Sequence, residues 1–131
     1  MKQLDGEWWH GSTEPLTEVK PFLHVGTIEQ ASMRGGRGCH LVRVGVAAGK
    51  VARRRDTGSW RLQDLQHLRS RGTGIIVYLN RYEGIPIEEF EAARAACRDI
   101  DALSDARFRK LLPSARDSLI ILDEALATIL A

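Results

Sequence analysis

The chain has 131 residues, a length suited to one domain, with 44% hydrophobic and 27% charged residues, which excludes disordered, collagenous and low-complexity classes. No apolar run approaches the roughly 20 residues of a membrane span, no secretory leader opens the sequence, and Cys39 and Cys97 stand outside any CxxC or Cys/His spacing, so a cytoplasmic setting without disulfides or structural zinc is expected. The formal net charge of +2 hides a polarised chain: Arg34–Arg71 carries ten basic and two acidic residues, and Tyr82–Asp105 carries two basic and seven acidic, so the middle is suited to steering an anionic ligand.

Glu7–His10 is predicted as a short aromatic strand closed by Gly11-Ser12-Thr13, and Pro21–Val25 as a second strand. Thr27–Met33 reads as a short helix with Thr27 as N-cap and Gln30 as its capping-box partner, ended by Gly35-Gly36. His40–Val46 alternates so that Val42, Val44 and Val46 share the inner face of a strand. Lys50–Ser59 is polar and predicted as a loop, after which Trp60, Leu62, Leu65 and Leu68 line one side of a helix running to about Ser70, punctuated by Gly72 and Gly74. Ile75–Leu79 is a continuous, largely β-branched run, the mark of a buried central strand.

Gly84-Ile85-Pro86 opens a longer helix whose apolar positions Ile87, Phe90, Ala93, Cys97 and Ile100 keep helical spacing, with Glu88 and Glu89 at the positive end of its dipole. A further short helix over Ser104–Leu112, stopped by Pro113, and a strand over Ser118–Leu122 precede an apolar tail. Irregular alternation of strands and helices predicts an α/β or α+β fold. Gly35-Gly36-Arg37-Gly38 lacks the spacing of a dinucleotide-binding or phosphate-binding loop.

Three segments stand out together: Trp9-His10-Gly11-Ser12-Thr13, Phe22-Leu23-His24-Val25-Gly26-Thr27-Ile28-Glu29-Gln30-Ala31, and Ile76-Val77-Tyr78-Leu79-Asn80-Arg81-Tyr82-Glu83-Gly84. Their order resembles small bacterial and phage-borne members of the ADP-ribosyltransferase superfamily. There, a strand-borne His-Gly-Ser/Thr precedes an aromatic-rich strand ending in Gly-Thr, a helix with Glu-Gln-Ala, and a glutamate-bearing segment. Asp117–Asp123 is similar to the closing strand, so the resemblance spans nearly the whole chain.

The resemblance implies one domain over 1–131 with a split two-sheet ADP-ribosyltransferase-like fold, peripheral helices, a helical insert at about 85–112, and NAD clasped between the sheets. By carry-over, His10, expected with Glu83 to be one of the two catalytic residues, hydrogen-bonds a ribose hydroxyl, with Ser12 in the same motif. The backbone of Gly11 holds the nicotinamide carboxamide, and Thr27 and its helix start line the cleft. Glu83 orients the ribose 2′-hydroxyl and stabilises positive charge as the glycosidic bond breaks. Arg34 is the candidate for the pyrophosphate, because a guanidinium offers a bidentate fork to phosphate oxygens, or else it is a solvated arginine. His24 either stacks or hydrogen-bonds in the pocket or is a satisfied core histidine, and Tyr82 flanks the cleft or packs. No metal is implied. Arginine-specific members carry Glu or Gln two residues before the catalytic glutamate, and here that position is Arg81, which disfavours arginine as acceptor.

The implied activity is transfer of ADP-ribose from NAD to a macromolecular acceptor, protein rather than nucleic acid, by a toxin, effector or phage-borne inhibitor with an antitoxin or immunity protein as partner and no membrane role. Three alternatives stay open. One is an NAD glycohydrolase using the same residues, and another is an inactive module binding a protein through the acidic helix and arginine-rich middle. The third is a nucleic-acid binder using Arg34–Arg71, for which 6% aromatic residues leave no evident stacking platform.

Overall fold

The computed structural model describes residues 3–130; Met1, Lys2 and Ala131, the ends of the expected domain, lie outside the description. Strands β1 (Trp8–Ser12), β3 (His40–Val46) and β7 (Ala127–Leu130) form an antiparallel sheet in the order β1-β3-β7. Strands β2 (Leu23–Val25), β6 (Asp117–Ile121), β5 (Ile75–Leu79) and β4 (Val51–Arg53) form a second sheet in the order β2-β6-β5-β4, with β4 and β5 parallel and the other pairs antiparallel. The sheets meet where Trp9 and Gly26 exchange backbone hydrogen bonds of 2.7 and 2.9 Å. With four α-helices, α1 (Ile28–Gly35), α2 (Leu62–Ser70), α3 (Ile87–Ala96) and α4 (Asp105–Leu111), the described residues form a mixed α+β structure with two sheets.

Two strands differ from expectation. β4 lies inside the predicted Lys50–Ser59 loop, because three residues with Val51 and Arg53 exposed carry no periodicity and owe their extended form to pairing with β5. The parallel pairing requires a crossover, which α2 supplies. β7 lies in the predicted tail, where Ala127–Leu130 pairs with Val46–Arg43. The third helix also stops sooner than its spacing suggests. Cys97 turns extended, and Ile100 is buried from a separate 3-10 turn, Ile100–Ala102, so the apolar repeat runs on after the helix has ended.

β5 divides the interior. Ile75 and Val77 face the three-stranded sheet with Val25, Val44, Val46 and Leu119, whereas Ile76 and Tyr78 face α2 with Leu65, Ile120 and Leu122. Burial on both faces explains why its sequence is continuously apolar. At its end Leu79 joins the core of the helical insert: Ile85, Ala93, Ile100, Phe108, Leu112 and Ala115. Full burial of a side chain such as Phe108 contributes about 1.5–3 kcal/mol, so the insert is fastened to the sheet and not merely laid over it.

Candidate active site

The sheets diverge beyond the Trp9–Gly26 exchange, and a slot opens there. Alternation along β1 sends the main-chain groups of Gly11 to the same edge as those of Trp9, yet no cross-strand bond joins Gly11 to β2. Instead the Nδ1 of His10 lies 2.8 Å from the carbonyl oxygen of His24, stitching β1 to β2 through a side chain. Gly11 must be glycine for packing reasons as well, since a Cβ there would stand 2.0 Å from the Ala31 carbonyl oxygen of α1.

α1 begins with the predicted capping box: Gln30 N–H donates to Thr27 Oγ1 at 3.1 Å and Thr27 N–H to Gln30 Oε1 at 2.9 Å. Gln30 is buried and does more than cap. Its Nε2 donates to the Arg116 carbonyl oxygen, and its Oε1 accepts from Ser118 Oγ at 2.6 Å. Ser118 Oγ accepts from Asn80 Nδ2 at 3.0 Å, and the same Nδ2 donates to Glu83 Oε1 at 2.9 Å. Asn80 Oδ1 accepts from the N–H groups of Tyr82 and Glu83, closing the turn that carries the glutamate. A chain of hydrogen bonds therefore runs from the α1 cap through β6 to Glu83, with Asn80 donating one proton towards the cap and the other to the carboxylate. Gly26 and Gly84 make room for it: a Cβ on Gly26 would lie 2.0 Å from Gln30 Oε1, and one on Gly84, whose φ is +78°, 2.6 Å from Gln30 Cγ.

Arg34, from the last turn of α1, reaches Glu83 Oε1 at 3.2 Å. Both side-chain bonds to the carboxylate thus fall on one oxygen. The slot is only about 10 Å³, walled by Trp9, Gly11, His24, Gln30, Tyr78 and Ser118. Arg34, Tyr78 and Glu83 also border an outer depression of about 340 Å³ with Asp56, Trp60, Asn80 and Tyr82. The Arg34–Glu83 pair spans the passage between the two, and its partial exposure, 38% and 21%, places it among pairs worth about 0–1 kcal/mol. Parting them to admit a ligand costs little.

The inner wall is electrically neutral. Burial, with the charges of Arg34 and His10, lowers the pKa of His24 from 6.5 to about 4, and burial raises that of Tyr78 to about 12. His24 Nδ1 lies 3.1 Å from Tyr78 Oη, a pair of uncharged groups at neutral pH. Charge at the site is concentrated on Glu83 and Arg34.

Of the residues singled out from sequence, Gly11, His24, Arg34 and Glu83 line the slot, and Tyr82 borders the outer depression with Arg34 and Glu83. Thr27 spends its hydroxyl on the α1 cap, and Ser12 donates its own to the Glu14 carbonyl oxygen at 2.5 Å. His10 is held at the seam and does not line the slot. Arg81 points away from the cleft: its Nη2 donates to the Leu103 carbonyl oxygen and to Asp105 Oδ1, and its guanidinium lies 4.6 Å from the Phe108 ring centre. The sequence reading passed over Asn80, Ser118 and the second role of Gln30. An asparagine three residues before the glutamate was the one local signal, since such a side chain closes turns. No family model matches the chain, nor does any curated protein or solved structure, so a functional reading stands on the site itself.

Proposed function

We propose that the chain is an NAD-dependent ADP-ribosyltransferase with Glu83 as its catalytic carboxylate. The observation that carries this reading is the placement of Glu83, held by Asn80 and paired with Arg34 through the same oxygen, at the mouth of a slot whose opposite wall presents Gly11, whose main chain makes no bond to β2. A primary carboxamide needs an adjacent donor and acceptor, and the Gly11 edge of β1 supplies them. Arg34, swung from Glu83 to a diphosphate, would keep a charge-assisted partner. His10 acts as a positioning residue that holds β1 to β2 beside the slot.

In the reaction the bond from the ribose anomeric carbon to the nicotinamide nitrogen breaks. Its electron pair goes to the nitrogen, and positive charge grows on the sugar ring. A carboxylate fixed before the reaction stabilises that charge without reorganising. The acceptor oxygen or nitrogen then bonds to the same carbon and releases its proton to solvent. Water as acceptor makes the enzyme a glycohydrolase. The narrowness of the slot with Arg34 on Glu83 favours, as a second reading, a module that keeps the arrangement without the chemistry.

The test is nicotinamide release from NAD by wild type and Glu83→Gln, alone and with bacterial lysate, using labelled NAD to follow transfer. Release or labelling by wild type, lost in Glu83→Gln, is expected. Absence of release, labelling and NAD binding overturns the proposal, as does full activity in Glu83→Gln.

A further inference from the structure

We propose that the groove beside α2 binds single-stranded nucleic acid and leads a nucleotide to the Glu83 cleft, so that nucleic acid is the acceptor class. The binding half stands alone, and the acceptor half rests on the reading of Glu83 given above. The groove measures about 500 Å³, and its floor is Leu65, Leu68, Ile76 and one wall of Trp60. Ile76 and Tyr78 share a face of β5, so the groove and the cleft are neighbours on one side of the sheet. Trp60 belongs to both and stands 4.9 Å from Tyr78 between ring centres.

The rim of the groove is cationic. Arg34, Arg43, Arg53 and Arg69 each meet a carboxylate within 4.0 Å. Arg54, Arg55 and Arg61, which border the groove, meet none among the described residues, and Asp64 is the sole acid in its lining. Arg54 and Arg55 rest on the main-chain carbonyls of Arg53, and of Asp101 and Leu103, respectively, which holds them in place without neutralising them.

Three unneutralised guanidiniums around an apolar floor with an indole in its wall match a strand that offers phosphates and flat bases together. A duplex keeps its base faces stacked, and an acidic peptide has charge without a ring for the floor. The low aromatic content of the chain hides this platform, because one well-placed tryptophan suffices.

The test is fluorescence anisotropy without NAD, using fluorescein-labelled single-stranded DNA and RNA twelve-mers of mixed sequence, with a duplex of the same sequence and a polyglutamate peptide as competitors. Three neutralised phosphates predict a log–log salt slope of about −2, hence roughly 20-fold weaker binding between 50 and 200 mM salt. Arg54→Glu/Arg61→Glu, two exposed positions, should keep the circular dichroism and melting midpoint of wild type, weaken binding at least about tenfold, and flatten the slope to about −0.7. No binding, equal competition by duplex or peptide, or unchanged binding in the double variant overturns the groove. Labelled NAD added to the bound oligonucleotide should mark it. Marking of lysate protein but not of the oligonucleotide overturns the acceptor half alone, and absence of nicotinamide release by the wild type with intact oligonucleotide binding overturns the Glu83 reading and leaves the groove.

Discussion

Replacing Asn80 by aspartate keeps the oxygen that closes the Tyr82–Glu83 turn and changes the neighbouring two-proton donor into a second acceptor. Asn80 is 2% exposed, so water cannot take the place of the lost donor. Its Nδ2 makes a 2.9 Å bond to the Glu83 carboxylate and a 3.0 Å bond to Ser118 Oγ. A bond to a charged group is worth about 1.5–3 kcal/mol and a neutral one about 0.5–1.5. Losing both therefore removes about 2–4.5 kcal/mol, and two carboxylates now face each other where one bond stood. Ser118 cannot repair the damage, since its single proton is already given to Gln30 Oε1. Asn80→Asp should therefore lower unfolding free energy by about 3–4 kcal/mol in a urea titration. Glu83 should swing from its seat, and displacement of a reacting group by about 1 Å costs on the order of 100-fold in rate. Nicotinamide release should fall accordingly at a temperature where circular dichroism shows the variant folded. A folded variant with undiminished release would refute the idea that Asn80 seats the catalytic carboxylate.

The histidine of the inner wall predicts an acid limb of stability. The folded pKa of His24, about 4, lies below its unfolded value of 6.5, so the unfolded chain binds more protons between these values. The contribution is complete above about pH 6.5, is lost as pH falls towards 4, and amounts to at most about 3 kcal/mol. Urea midpoints at pH 7 and pH 4 should thus differ less in His24→Phe than in wild type, and an equal difference would show that another group carries the limb. Arg34→Gln should shift the melting midpoint little, because exposed ion pairs contribute about 0–1 kcal/mol, yet weaken NAD binding by calorimetry; undisturbed affinity would release Arg34 from any role with the diphosphate. Arg81→Ala leaves Asp105 unpaired and a hole over Phe108, and should cost about 3–5 kcal/mol in thermal or urea unfolding. Arg81→Met, which keeps the packing, should recover much of that loss, and equal damage by both would place the energy in the ion pair alone.

Local pattern was enough to find elements whose neighbours in sequence settle their form. The Thr27–Gln30 box starts α1 because both partners lie within one turn. Ile75–Leu79 reads as a central strand because both its faces are buried. β4 and β7 were not legible, since each is short and extended only by what pairs with it. The site divides in the same way. Gly11, His24 and Glu83 could be named from motif order and Arg34 from its guanidinium chemistry, but their meeting in one slot depends on α1 docking beside β1 and on the β5 turn reaching back to it.

By itself the sequence determined which segments bury apolar groups and where helices start, because those are contests between a side chain and its own backbone or its near neighbours. It also placed the charge asymmetry, which is additive along the chain. Only tertiary structure decided what each polar group does. Gln30 is at once a cap and a bracket for Ser118, Arg81 is a buried strut facing the insert, and Arg54, Arg55 and Arg61 gather on one groove without a carboxylate within reach. Hydrogen bonds and ion pairs act over about 3–4 Å, and groups far apart in sequence come that close only once the sheets have folded.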